Sequence, residues 1–397
     1  MEAVKREAPA PEVVASRPAW KYVPALPTLW PGMLFSRARA VPPFPFEAPG
    51  VSFFYFGRAA VWTLARVLRL DGAEVLAPAY HHGVEIEALL DAGASVRFFR
   101  VGPRLQVDPD DIARQIGPRT RAVYFIHYLG FPGPAAALRA LCDAKGLLLV
   151  EDCALALLSR DGERPLGTFG DAAIFSLYKT LPLPNGGALV LNGSRPRGLP
   201  AAPEPPLAST LSHLAAALLS NLQLRGGAFG RALRSGLRGL GRGAVGAMGL
   251  SRVPTGTQHF DRAHAELGMS ALASRIALAQ DFSSIVERRR RNFFLLLGHL
   301  RELAPPLFSQ LPPGVCPLFF PLRVGGDKAK VAERLGSRGI ETVDFWRHGH
   351  PTCPPGEFPD SEALRRGVLE IPIHQDLSPQ AMVGLARAVC EVVRGSP

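Results

Sequence analysis

The sequence predicts an α/β protein, with a large domain built on a mostly parallel sheet and a smaller α/β domain at the C-terminus. Three observations carry that expectation. Between Phe53 and about Leu191 short apolar runs alternate with helical stretches, the pattern of successive βα units. A Pro-rich and then Leu- and Arg-rich stretch breaks this rhythm, and a second, shorter alternation starts near residue 315. At 397 residues the chain also exceeds the size at which a single core stops growing.

The first strands are read at 74–77 (EVLA), 95–99 (SVRFF), 121–126 (RAVYFI) and 147–150 (LLLV), and two more at 172–177 (AAIFSL) and 187–191 (GALVL). Helices are expected over 58–69, 84–91 and 134–144. Residues 195–206 read as a Pro-rich linker. Beyond it, Leu207, Leu211, Leu214, Leu218 and Leu222 share one helical face; Arg231, Arg234, Arg238 and Arg242 share another, opposite Phe229, Leu233, Leu237 and Leu240. This cationic amphipathic pattern fits a solvated helical hairpin packed on the domain, a peripheral membrane contact through 207–250, or a lid over an anionic substrate. A long helix is expected over 266–301, with the run RRRR at 288–291 as a solvated face. The tail gives a strand (LFFPLRV), a helix over 327–338, the segments GIETVDFW and LEIPIHQDLS, and a final helix from 378. The domains are therefore an irregular segment over 1–50, a large domain over 51–290 with an atypical insertion over 195–260, and a small domain over 291–397.

With 47% hydrophobic and 20% charged residues the chain is globular. Its net charge of +11 is carried mainly by arginine, since only Lys5, Lys21, Lys145, Lys179, Lys328 and Lys330 are lysines. That balance fits codon bias or an anionic partner such as a phosphate, a nucleotide or a membrane surface. No motif points to nucleic acid. The cysteines at 142, 153, 316, 353 and 390 lack metal-ligand spacing, so no metal site is expected, and their odd number argues against a complete disulfide framework. A reducing cytoplasm fits, as does an N-terminus without an apolar core of signal-peptide length.

Chemistry is sought just after the strands, because ligands of such sheets bind at the carboxyl ends. Lys179 stands there, between an apolar strand and a loop ending in paired glycines. Burial would favour the neutral amine that imine formation requires, yet position alone fits an ordinary loop lysine equally well. Asp152 ends another apolar strand, in LLLVEDCALAL; it reads as a helix cap or as the carboxylate partner of a protonated ring nitrogen.

Several segments together resemble the DegT/StrS family of pyridoxal phosphate-dependent sugar aminotransferases. They are PAYHHGVEIEALLDAGASVRFF, DPDDIARQIGPRTRAVYFIHYLGFPG, GLLLVEDCALAL, GTFGDAAIFSLYKTLPLPNGGALV and LEIPIHQDLS. The resemblance runs from about Phe56 to Leu191 and resumes from about 266. It implies fold type I, with a three-layer αβα large domain and a homodimer. It also implies pyridoxal 5'-phosphate held by Lys179 as a Schiff base, with Asp152 on the pyridine nitrogen. Ser176 and Gly57 match phosphate-holding positions, and Arg58 stands where the family has Ser or Thr. His82 matches the ring-stacking residue, while His127 and Tyr128 match a segment lining the substrate site. Two positions depart from the family: Leu155 replaces the Gln or His on the cofactor's phenolic oxygen, and Glu266, Leu267 and Gly268 replace an Asn-Arg loop motif.

The implied activity is transfer of an amino group from an amino acid, L-glutamate, to a nucleotide-linked keto-sugar. Dehydration or carbon-carbon chemistry on the same fold is the first alternative; dehydratase relatives carry His in place of the lysine. A catalytically reduced membrane- or assembly-binding homologue is the second.

Overall fold

The computed structural model describes residues 22–36, 41–193, 199, 201–247, 253–254, 259–304 and 306–395, and of 227–229 and 231–247 only the backbone. Strand β1 (Val51–Phe54) leads into α1 (Gly57–Val67), β2 (Glu74–Pro78), α2 (Val84–Asp91) and β3 (Ser95–Phe99). Next come α3 (Pro109–Gln115), β4 (Thr120–Ile126), α4 (Ala135–Lys145) and β5 (Leu148–Asp152). A small hairpin, β6 (Arg160–Asp161) with β7 (Arg164–Pro165), precedes β8 (Ala172–Ser176), the single turn α5 (Leu177–Thr180) and β9 (Gly187–Leu191). The central sheet has the order β1-β9-β8-β5-β4-β2-β3. From β8 to β3 every pairing is parallel, while β9 runs antiparallel to both β8 and β1. The expected mostly parallel α/β sheet is therefore present, and its six foreseen strands stand within a few residues of their expected bounds. Strands β2, β5, β8 and β9 are buried along their whole length, which is why they read as continuous apolar runs.

Glycine is required at one point of this sheet. A Cβ on Gly187 would lie 2.3 Å from the carbonyl carbon of Phe56, so only glycine lets β9 run against the entry to α1.

Besides the β6–β7 hairpin and the short α5, the elements that go beyond the expectation are β1, α3 and α10 (Pro359–Gly367). Both helices open with proline in the first turn, and Asp108 caps α3 by accepting from the Asp110 amide at 3.0 Å. The long helix expected over 266–301 is two, α7 (Ala271–Leu278) and α8 (Phe282–Leu300). Asp281 causes the break, accepting from the Ser284 amide at 3.0 Å and so capping a new helix.

The helical hairpin expected within 207–250 is instead one helix, α6 (Leu207–Ala247). The stretch holds glycines, which weaken a helix, but no proline, which would break it. Its first half is tied down by polar groups: Ser209 Oγ lies 2.8 Å from Tyr55 Oη, and Asn221 donates to Thr28 Oγ1 at 2.8 Å. Along the foreseen leucine face Leu214 is buried while Leu207 and Leu211 are exposed. The side chains of Arg231, Arg234, Arg238 and Arg242 lie outside the described residues, as do residues 195–198 and 200 of the 195–206 linker. No helix of the described residues is long and apolar enough to cross a membrane.

C-terminal to α8, β10 (Phe319–Arg323) pairs antiparallel with β11 (Val368–Pro372), and α9 (Lys328–Ser337), α10 and α11 (Pro379–Arg394) complete this unit. Helix α8 runs unbroken across residue 290. The N-terminal segment is pinned to the same unit: Val23 bridges Ile340, and Thr28 donates its amide and hydroxyl to Asp376 at 2.6 and 2.8 Å.

The run at 288–291 is not wholly a solvated face, because Arg289 is buried. It donates to Gln375 Oε1 at 2.9 Å, Leu318 O at 2.8 Å and Thr180 O at 3.2 Å, joining α5 to the C-terminal unit. Truncation would strand these acceptors in a dry interior. Arg289→Ala should therefore lower stability by roughly 3–5 kcal/mol, whereas exposed Arg288→Ala should cost under about 1 kcal/mol. Denaturant unfolding of the two variants checks this contrast.

Candidate active site

The carboxyl ends of β2, β4, β5 and β8 open into one cavity of about 330 Å³. Ile126 and Asp152 close two of these strands, Ser176 closes a third, and His82 follows the fourth. Lys179 reaches the cavity from α5, Gly57 and Arg58 from the start of α1, and Phe345 and Trp346 from the C-terminal unit. Ala25 and Leu26 of the N-terminal segment complete the wall.

Asp152 is buried at the end of β5. Its Oδ2 accepts the Tyr124 hydroxyl at 2.6 Å and its Oδ1 accepts the Ala154 amide at 2.8 Å. Burial, and next the nearby Glu85 carboxyl, push it from 3.8 up to about 6 despite those two donors. The carboxyl thus ionises fully only near neutrality unless a cation is brought to it.

Lys179 is half-buried, and among the described residues its ammonium forms no ion pair; Nζ lies 5.0 Å from the Phe345 ring centroid. Ser176 is buried one strand-end away. Gly57 and Arg58 begin an eleven-residue helix whose first amides lack intrahelical partners and point at the same space. The Arg58 guanidinium lies over the Phe56 ring at 3.8 Å and donates to Pro254 O at 3.1 Å, with no carboxylate paired to it among the described residues. Burial lowers its pKa, so an anion in the cavity would relieve it. A helix N-terminus, an arginine and a serine hydroxyl together suit a phosphate.

His82 borders the cavity, and its buried Nδ1 has no hydrogen-bond partner among the described residues. Burial, then Lys179 and Arg58, lower this imidazole to about 4, so it is neutral at physiological pH. Its neighbour His81 is a structural clamp. The ring contacts Pro78 O at 2.9 Å through Nδ1, accepts the His350 amide at Nε2 at 2.8 Å, and stacks on Phe98. Arg365 continues the clamp, donating to Ala79 O at 2.9 Å, His81 O at 2.9 Å and Trp346 O at 2.8 Å. The turn after β2 and the Phe345–Trp346 wall are thereby held as one surface.

Of the foreseen residues, Lys179, Asp152, Ser176, Gly57, Arg58 and His82 come together, and Leu155 presents its side chain to the same cavity. His127 and Tyr128 do not reach it. His127 Nε2 faces Glu151 Oε2 at 3.0 Å and its Nδ1 accepts the Gly133 amide, while the Tyr128 hydroxyl donates to Tyr80 O at 2.7 Å. His127, Glu151 and Cys153 cluster closely, but both Glu151 oxygens already accept from the amides of Gly167, Phe169 and Gly170. Leu267 and Gly268 meet β1 and its following residue by backbone bonding, Leu267 O accepting from the Tyr55 amide at 2.8 Å. Sequence reasoning missed Glu85, Tyr124, Tyr178, Phe345 and Trp346. For Tyr124 the signal was a tyrosine inside a continuous buried apolar run, since its hydroxyl there needs a partner; the aromatic pair comes from a segment distant in the chain.

Residues 57–196, which build most of this cavity, match the model of the DegT/DnrJ/EryC1/StrS aminotransferase family, so the chain carries a domain of that family there. The chain is 36% identical over 125 residues to GDP-perosamine synthase of Vibrio cholerae, covering 31% of this chain and 34% of the relative. It is 40% identical over 128 residues to dTDP-4-dehydro-2,3,6-trideoxy-D-glucose 4-aminotransferase of Saccharopolyspora spinosa, covering 32% and 33%. The alignable part thus spans about a third of each curated relative. The solved structure of the aminotransferase TlmJ from Streptoalloteichus hindustanus superposes with a TM-score of 0.62 at 23% identity, covering 87% of this chain and 86% of that one. That likeness shows the fold, which is that of the fold-type-I aminotransferases.

The raised Asp152 carboxyl has a consequence for stability. Between pH 3.8 and about 6 the folded state keeps a proton that the unfolded state has lost, so stability falls as pH rises through this window. Asp152→Asn removes the effect. In cofactor-free protein the variant should match wild type near pH 4 and exceed it by roughly 2–3 kcal/mol above pH 6, measured by denaturant unfolding across pH.

Proposed function

We propose that this protein is a pyridoxal 5'-phosphate-dependent aminotransferase that moves an amino group from an amino acid, L-glutamate, to a nucleotide-linked keto-sugar. One observation carries the reading: a lysine that forms no ion pair among the described residues and a buried aspartate share one cavity at the ends of adjacent parallel strands. The matched domain and the sugar aminotransferases resembling it support the substrate class. When bound, the cofactor supplies an electron sink that lets an amino group pass between amino acid and carbonyl compound.

The residues present fit that group. Asp152 would hold the ring nitrogen, and a proton carried by that nitrogen would restore the carboxylate that burial disfavours. Tyr124 and Ala154 keep the carboxyl aimed by occupying one oxygen each. His82, neutral and with an unpartnered Nδ1, offers its ring face as a stacking surface. Ser176, Arg58 and the first amides of α1 take the phosphate. Lys179 would hold the cofactor through its amine, and the same nitrogen, placed inside the cavity, would serve as the group that accepts and returns a proton. The aromatic wall of Phe345 and Trp346 excludes water from that transfer.

The same reading places His127 and Tyr128 behind the site rather than in substrate contact. It also makes the enzyme a homodimer of the reducing cytoplasm, where its five free cysteines persist. The large domain is assigned to 51–290 and the small one to 291–397. Light scattering should give twice the mass of one chain, and a monomer would refute the dimer.

The decisive experiment is an absorbance scan of protein loaded with pyridoxal phosphate. Wild type should show a band near the visible edge that borohydride fixes to the peptide containing Lys179; Lys179→Ala should lose it, and kcat should fall by roughly 10³–10⁴-fold or more. Absence of the band in wild type sinks the reading. Arg58→Ala should weaken cofactor binding by about 10–100-fold, as loss of a charged hydrogen bond does. A panel of amino donors and keto-sugars, assayed for the amino-sugar product, tests the substrate.

A further inference from the structure

The cavity holds a second buried carboxyl to which the reading above gives no task. Glu85 lies in the first turn of α2, is buried, and lines the cavity. Its Oε1 accepts the backbone N–H of His82 at 2.8 Å, which fixes the carboxyl against the turn that carries the stacking residue.

The groups around it come from every wall. Asp152 and Tyr124 face it from the sheet, Tyr128 from beyond β4, Lys179 from α5, Arg365 from α10 and His350 from the loop after Trp346. The cations leave it unpaired. Arg365 directs its N–H groups to the carbonyls of Ala79, His81 and Trp346, and Lys179 forms no ion pair among the described residues. An ionised Glu85 would therefore be a second buried anion beside Asp152, and two carboxylates in one dry pocket do not both ionise. Burial raises the Glu85 carboxyl in the same direction. Asp152 accepts on both oxygens, from a phenol and an amide, whereas among the described residues Glu85 accepts on Oε1 alone, so the proton resides on Glu85 Oε2. Leu155, lining the same cavity, has no polar atom to offer a ligand.

We propose that Glu85 meets the bound cofactor as a neutral acid, donating its carboxyl O–H to a cofactor oxygen that Leu155 cannot serve. This rests on the pyridoxal phosphate reading. Glu85 is a binding residue that leaves the charge balance of the ring to Asp152 and Lys179. A neutral amide can replace a neutral acid as donor, whereas it cannot replace a carboxylate, and the test uses that difference.

Infrared difference spectra of cofactor-free protein at neutral pH should show a protonated-carboxyl band in wild type that Glu85→Gln removes. In loaded protein, Glu85→Gln should keep the pyridoxal phosphate Kd within about twofold and the pH midpoint of the visible band unchanged, while Glu85→Leu should weaken binding by about tenfold. Far-UV circular dichroism checks that Glu85→Leu is folded, and Glu85→Ala takes its place if it is not. The proposal is overturned if the infrared band is missing, if Glu85→Gln shifts the midpoint, or if the apolar variant binds as wild type does. Wild type that shows the infrared band but takes up no pyridoxal phosphate sinks the cofactor reading instead, and the donor role with it.

Discussion

The buried carboxyl of Asp152 is the constraint to which the rest of the cavity answers. Parallel strands bring their carboxyl ends to one edge, and the interior of such a sheet is too apolar to hold a free charge. Placing an aspartate at the last position of β5 therefore demands help, and Tyr124 on the adjacent strand and the Ala154 amide supply it. Two neutral donors reduce the desolvation cost without cancelling it, and the carboxyl keeps an appetite for a cation. A ring nitrogen that can carry a proton would satisfy it, and Lys179, just after the adjacent strand β8, would provide the anchoring amine.

The walls of the cavity are held by hydrogen bonds to backbone carbonyls more than by ion pairs. Arg365 joins the turn after β2 to the Trp346 segment, and Arg289 joins the end of α5 to Leu318 and Gln375. Guanidinium groups suit this work because their planar fork engages several carbonyls at once and stays charged when buried. The effect is to couple Lys179, through its own short helix, to the unit that carries Phe345 and Trp346. Part of the arginine excess seen in the composition is thus internal scaffolding, not an electrostatic surface.

What could be read from the sequence follows the range of the interactions. The buried strands of the large domain announce themselves as apolar runs, and a polar residue ending such a run is visible without any neighbour in space; Asp152 and Lys179 were legible for that reason. Ser176, His82 and Arg58 followed only from the resemblance to the family. His127 also ends a strand, β4, yet the chain turns there through Leu129 with φ of 56°, and the imidazole is drawn back onto Glu151 and the Gly133 amide. Such a short-range backbone choice is invisible in residue types. Glu85, Phe345 and Trp346 were hidden differently, since their role depends on the C-terminal unit folding back over the β2 turn. The break at Asp281 and the unbroken α6 show the same limit on helices: one cap divides a continuous pattern, and several glycines without a proline do not.

Two departures from the family pattern, Leu155 and Arg58, line this cavity, and Glu85 lines it with them. Leu155 removes a polar contact, Arg58 adds a cation where a hydroxyl is expected, and Glu85 adds a carboxyl facing Asp152. If these were independent losses, the pocket would be left with one excess buried anion and nothing to replace the missing contact. Taken together they balance: Arg58 compensates anionic ligand charge at the helix end, and a protonated Glu85 contributes a donor without contributing charge. The pocket then differs from its relatives in how the cofactor is held, while the pairing of Asp152 with Lys179 is kept.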